Sequence, residues 1–228
     1  MEKNYPVKEI KSAYKSDSQR NLLISLLENE TIKNEFFLTG GTALSVFYLG
    51  HRISEDLDFF TISDVNLNDL SFWIKFKFSY NVSIKSISEF YLSYEILGIK
   101  VDFVIDRLSI DCERKVFKFE NDRTLKVDCL ENIASNKLCA IVSRFEIRDL
   151  IDFYFIFKNF NFNFDEIYEL SRRKEKLFDD PPSVAFEIEE RIEILEKLNF
   201  IPLNMIKPIE INEVIEFFKN LALKIYNF

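Results

Sequence analysis

Two aspartates two residues apart, Asp56 and Asp58, stand in the run Arg52-Ile53-Ser54-Glu55-Asp56-Leu57-Asp58-Phe59-Phe60. On an extended strand, residues two apart share a face. Leu57 and Phe59 then enter the core, and both carboxylates project together on the other side. Side by side they repel, which raises one pKa unless a cation sits between them. A divalent ion removes that cost, and Mg²⁺, or Mn²⁺ in its place, prefers carboxylate oxygens together with phosphates. The competing reading is a solvated strand end, with Asp56 capping a turn.

Upstream lies Leu38-Thr39-Gly40-Gly41-Thr42. The glycine pair sits where a strand hands over to a helix. Glycine there lets backbone amides approach a phosphate, and the N-terminus of the following helix favours an anion. A tight strand–helix turn would use glycine equally well. Together, a phosphate cradle and a carboxylate pair fifteen residues on are what nucleotide–metal chemistry needs.

Three further charges stand out against apolar surroundings. Asp102 lies inside Lys100-Val101-Asp102-Phe103-Val104-Ile105, where a charge is costly unless paired or ligating. It is a third carboxylate for the site if its strand neighbours that of Asp58, or a partner for Lys100 if it does not. Lys137 falls within the apolar stripe Leu130, Ile133, Ala134, Leu138, Ile141 and Val142, so it must snorkel or meet an anion, either a triphosphate or an internal aspartate. Arg148-Asp149-Leu150-Ile151-Asp152 follows. There Arg148 and Asp152 suit a plain i, i+4 pair, or one aspartate serves as the base for an attacking hydroxyl.

The elements that position these groups follow from periodicity. Ser16-Asp17-Ser18-Gln19 reads as a capping box, with Leu22, Leu23, Leu26 and Leu27 on one helical face. Strands are predicted at Phe36–Thr39, Asp56–Phe60, Val82–Ile87, Phe90–Ile96, Ile99–Ile105, Val116–Phe119 and Thr124–Val127. Helices are predicted at Thr42–Leu49 and Asn66–Phe78. After Asp128 the pattern is helical throughout: Leu130–Arg144, Ile147–Phe157, Asp165–Leu177, Ser183–Leu198 and Ile211–Tyr226. The fold class is therefore α+β, a mixed sheet with flanking helices and then an all-helical part. The division falls into residues 1–128 and 129–228.

Composition removes several chemistries. The 228 residues carry 30 Lys plus Arg and 38 Asp plus Glu, a net charge of −8, which argues against broad, sequence-blind nucleic-acid binding. Arg172-Arg173-Lys174-Glu175-Lys176, and Arg114 with Lys115 and Lys118, are the densest local basic runs and read as solvated surface. One histidine, His51, and three cysteines without a CxxC pair leave a thiolate or imidazole zinc site short of ligands. The odd cysteine count fits a reducing compartment. No apolar run reaches the roughly 20 residues of a membrane helix, and the N-terminus has no signal-like apolar region. A soluble, cytoplasmic protein is expected.

Gly40-Gly41-Thr42-Ala43-Leu44, Arg52-x-Ser54-x-Asp56-Leu57-Asp58-Phe59, Lys137-Leu138 and Arg148-Asp149-x-x-Asp152-x-Tyr154 resemble the AbiEii/AbiGii-type nucleotidyltransferase toxins, the MenT-like branch of the polymerase-β-like superfamily. The resemblance covers roughly residues 36–156. It implies a nucleotidyltransferase sheet with the metal site at its edge, and a helical domain completing the active-site cleft. It implies Mg²⁺-dependent transfer from a nucleoside triphosphate, with tRNA 3′ ends as acceptors for some members and an antitoxin as partner. On that basis Gly40, Gly41, Thr42, Arg52 and Ser54 hold the nucleotide, Asp56 and Asp58 bind metal, and Lys137 contacts the triphosphate. Asp152 is the catalytic carboxylate in preference to Asp149. Asp102 takes the superfamily's third metal position. Transfer to a small molecule or a protein hydroxyl, and a non-catalytic NTP-binding module acting through a partner, remain alternatives.

Overall fold

The computed structural model describes residues 5–198 and 200–228. The chain divides into two compact units, Met1–Cys129 and Leu130–Phe228.

The first unit is built on a seven-stranded mixed sheet. Its strands are β1 (Phe37–Thr39), β2 (Leu57–Thr61), β3 (Val82–Ile87), β4 (Tyr91–Ile96), β5 (Ile99–Ile105), β6 (Lys115–Lys118) and β7 (Thr124–Val127), in the order β3-β4-β5-β2-β1-β7-β6. β2 runs parallel to β5 and β1 parallel to β7, and the other neighbours are antiparallel. The alternation that predicted β2 is present: Leu57, Phe59 and Thr61 are fully buried, while Asp58 and Phe60 between them are half-buried. Val101, Phe103, Leu92 and Tyr94 continue that buried face, and the Phe59 and Phe103 rings stack at 5.3 Å. Each such side chain removed from water contributes about 1.5–3 kcal/mol.

Helices α1 (Asp17–Leu26), α2 (Glu30–Glu35), α3 (Gly40–Leu44) and α4 (Leu67–Phe78) belong to this unit. Ser16 caps α1 by accepting from the Gln19 amide at 3.3 Å, as the capping-box reading requires. α4 buries Leu70 and Ile74, and its Ser71 hydroxyl lies 2.7 Å from that of Tyr94 on β4.

The second unit contains α5 (Leu130–Ser143), α6 (Ile147–Asn159), α7 (Phe164–Arg172), α8 (Pro181–Lys197) and α9 (Ile211–Ile225). Its core gathers Phe153, Phe178, Ile188, Leu195, Val214 and Phe218, all essentially inaccessible. α7 stops five residues before the predicted end. The Lys174 and Glu175 amides both fold back onto the Ser171 carbonyl, and Glu175 caps a separate 3₁₀ turn over Lys176–Asp179 that buries Phe178.

Two other expectations change. The segment predicted as one helix over 42–49 begins earlier, at Gly40, and continues as a π-turn over Ser45–Leu49. The cysteines were expected to stand as thiols, yet Cys112 and Cys129 are joined as a disulfide with Cα atoms 6.5 Å apart, and Cys139 is free. The loop after β5 returns Cys112 to the end of β7, a closure that linear spacing does not encode. In a reducing compartment the same pair would stand as two thiols.

Candidate active site

The end of β1 and the start of β2 meet in register, with Thr39 opposite Asp58. β1 then turns directly into α3 through Gly40, whose φ of +66° is the left-handed conformation that glycine tolerates and other residues resist. A Cβ on Gly40 would fall 2.5 Å from Asp58 Oδ2. The bend therefore lies directly against the carboxylate. The next glycine is equally constrained: a Cβ on Gly41 would fall 2.5 Å from an Arg52 guanidinium nitrogen and 3.1 Å from Ser54 Oγ. Gly40, Gly41, Arg52, Ser54 and Asp58 thus share one small volume, although Arg52 and Ser54 reach it from a loop.

Thr42 supports that loop. Its hydroxyl donates to the Asp56 carbonyl and lies 2.9 Å from Ser54 Oγ. Gln19 also donates to the Asp56 carbonyl, at 3.4 Å. Asp56 accordingly precedes β2 rather than opening it, because side chains hold its carbonyl where a strand ladder would. Contrary to expectation, Asp56 and Asp58 therefore do not share one strand face, since regular strand begins only at Leu57.

The third carboxylate is where neighbouring strands would bring it. β5 lies beside β2 with Asp102 opposite Asp58, so both project to the same face of the sheet. Asp102 is 7% exposed and accepts from Ser93 Oγ at 2.5 Å, Tyr91 OH at 3.0 Å and Lys100 Nζ at 2.7 Å. Burial pulls the Lys100 ammonium down, but the hydrogen bond and charge of Asp102 outweigh it, with Asp58 adding to them, and its pKa is raised. Burial and Asp102 likewise raise the Tyr91 phenol. Oxygen donors on adjacent strands beside a sterically open glycine bend fit a hard divalent cation.

Thr39 has a second anchor. Its hydroxyl donates to Asp128 Oδ2 at 2.6 Å. The other Asp128 oxygen accepts from the Cys129 amide at 3.0 Å and pairs with Arg114 at 3.2 Å, and the Arg114 guanidinium stacks 3.7 Å over Phe37. Sequence reasoning treated Asp128 only as a boundary. The available signal was a lone acid in Leu125-Lys126-Val127-Asp128-Cys129-Leu130. Cys112, Asp128 and Cys129 also place metal-capable atoms within 4.8 Å of one another, but the sulfurs are bonded together and both Asp128 oxygens are occupied.

In the second unit, Lys137 is 7% exposed and lies 2.8 Å from Asp149 Oδ1 and 2.6 Å from Asp152 Oδ2. Both aspartates are fully buried. Asp149 Oδ2 is also held by Arg144, at 3.1 Å. Arg148 pairs with Glu146 at 2.8 Å. The anion that a lysine in this apolar stripe required is thus supplied internally. The basic runs are largely matched locally: Arg172 pairs with Asp179, Lys115 with Glu113 and Lys118 with Asp122, while Lys174 donates to Asn132, Ser135 and Asn136.

Gly40→Ala is expected to lose about a hundredfold or more in any reaction that uses Asp58, because the new methyl displaces its carboxylate. The left-handed backbone adds about 1–2 kcal/mol of instability. Gly98→Ala is the control: φ is +75° and nothing lies within 4 Å, so it should show the backbone cost in thermal unfolding with the reaction rate unchanged.

Comparison with known proteins follows the geometry. The family described as "Nucleotidyl transferase AbiEii toxin, Type IV TA system" matches residues 21–222. An uncharacterized protein of Aquifex aeolicus (strain VF5) is 29% identical over 150 residues, covering 65% of this chain and 70% of its own. Among solved structures, MenT4, a nucleotidyltransferase toxin of Mycobacterium tuberculosis H37Rv, superposes with a TM-score of 0.58 at 15% identity, covering 93% of this chain and 83% of its own. JHP933 from Helicobacter pylori gives 0.51 at 20% identity, covering 96% and 94%. Among the described residues no helix is long and apolar enough to cross a membrane.

Proposed function

The chain belongs to the AbiEii nucleotidyltransferase toxin family, and from that premise we propose that it transfers a nucleotide from a nucleoside triphosphate to the 3′-terminal hydroxyl of a tRNA, in a reaction that requires Mg²⁺. The observation that carries this reading is Asp58, set against the Gly40 bend and opposite Asp102 on the neighbouring strand.

Asp58, Asp56 and Asp102 are assigned to the cation. Once bound, the cation supplies positive charge to the triphosphate as charge develops at the α-phosphorus. The amides of Gly40, Gly41 and Thr42 and the side chains of Arg52 and Ser54 hold the phosphate tail. Lys137 is assigned to the triphosphate as well. The acceptor oxygen attacks the α-phosphorus, the bond from that phosphorus to the pyrophosphate oxygen breaks, and the hydroxyl proton passes to Asp152. Asp152 is assigned as the base in preference to Asp149 on the family pattern Arg148-Asp149-x-x-Asp152. A reaction on a nucleoside triphosphate and tRNA belongs to the cytoplasm, and the family's type IV system implies a cognate antitoxin that opposes it.

The test supplies purified protein with Mg²⁺ and each labelled triphosphate, together with total tRNA, with a pool of hydroxyl metabolites, or with no acceptor. Label on tRNA 3′ ends is the expected result. Label on a small product or on protein would replace the acceptor assignment. Tight triphosphate binding without transfer to anything would replace catalysis with a binding role.

A further inference from the structure

Lys100 has a carboxylate directly across the strand pair, Glu95, which is its register partner on β4. That carboxylate is taken by Lys85 at 2.8 Å. The Lys100 ammonium instead lies along its own strand, 2.7 Å from Asp102 Oδ2, although half of its side chain is exposed to water. Asp102 receives two further internal donors, Ser93 and Tyr91. A positive charge therefore sits on the face of the sheet that carries the Asp58–Asp102 pair.

Resting on the metal reading above, we propose that Lys100 is the resident counter-ion of Asp102 and that a divalent cation must displace its ammonium to engage that carboxylate. The physical reason is competition for one electrostatic well. A buried carboxylate is costly unless a cation accompanies it, and Lys100 supplies that charge to Asp102. Ser93 and Tyr91 are neutral donors that turn the Asp102 carboxylate without compensating its charge. The lysine stem is long and half exposed, so the ammonium can swing into water when a doubly charged ion arrives. Lys100 thereby sets the cation concentration at which the site fills, without touching nucleotide or acceptor.

Titration of the full chain with MnCl₂, without nucleotide, followed by calorimetry or by the free-Mn²⁺ resonance signal, tests this. Lys100→Met should bind Mn²⁺ about tenfold more tightly than the natural chain, since an opposite charge this close is worth about a factor of ten or more in an ion equilibrium. Lys100→Arg keeps the competing charge and should stay within about twofold of the natural chain. Lys100→Gln, a polar replacement, should match Lys100→Met, and both should show a larger Mn²⁺-induced rise in unfolding temperature. Asp58→Asn should lose the binding altogether. If Asp58→Asn abolishes binding while the Met and Gln variants bind no more tightly than the natural chain, the counter-ion proposal is wrong and the metal reading stands. Undiminished binding in Asp58→Asn would overturn both.

Discussion

Asp58→Asn will reduce nucleotidyl transfer by about a hundred- to a thousandfold while leaving the fold intact. Losing one preorganised electrostatic element of a site commonly costs that much, and Asp58 is the carboxylate on which the Gly40 bend and Asp102 converge. Asparagine has the same shape and buries no new group. It also removes a like charge facing Asp102, so thermal unfolding should move by no more than a few degrees. Single-turnover transfer with labelled triphosphate, alongside a melting curve, checks both halves of the expectation. Transfer at the natural rate would end the assignment of metal to this strand pair. A collapsed melting curve would show instead that Asp58 is a structural charge.

The second large effect is on stability. Lys137→Ala leaves Asp149 and Asp152, both fully buried, without the ammonium that lies within 3 Å of each. Breaking a buried pair by deleting one partner costs about 3–5 kcal/mol. In a unit of this size each kcal/mol moves the midpoint by about 4–8 °C, so a fall of about 12 °C or more is expected by calorimetry. A loss of triphosphate affinity in this variant alone would not isolate a contact, because the unit is destabilised as well. Lys137→Met combined with Asp149→Asn and Asp152→Asn removes the stranded charges and should recover most of the stability. If Lys137 also grips the triphosphate, nucleotide binding measured directly in the triple variant stays weak. Recovery of both stability and affinity would confine Lys137 to a structural role.

How far the site could be read from residues depends on how local the signal is. Period-two alternation placed Asp58 and Asp102 on the face opposite Leu57, Phe59, Val101 and Phe103, and two glycines after a short apolar run marked the bend. Both signals lie within a few residues, and the folded chain follows them. The side of Asp102 that meets Lys100 was legible as an alternative, since residues two apart share a face. What stayed hidden depends on pairings between distant segments. Asp128 gives no local hint that it holds Thr39, because the link exists only once β7 lies beside β1. Cys112 and Cys129 meet only through the return of a loop without regular structure. Lys137 required an anion on physical grounds, but whether that anion is a substrate or a neighbour was decided by how α6 turns Asp149 and Asp152 toward it.

The parallel pairing of Leu38 with Val127 has a consequence for the newborn protein. Contacts between segments so far apart in sequence form late, because the closure entropy of the whole intervening loop must be met first. A ribosome that has released residues up to Ile105 has delivered β1, β2 and β5, yet neither β7 nor the Asp128 that braces Thr39 has been made. The Gly40 bend of a nascent chain therefore lacks its brace until translation passes that point. A chain ending before Thr124 carries both strand carboxylates but not the brace.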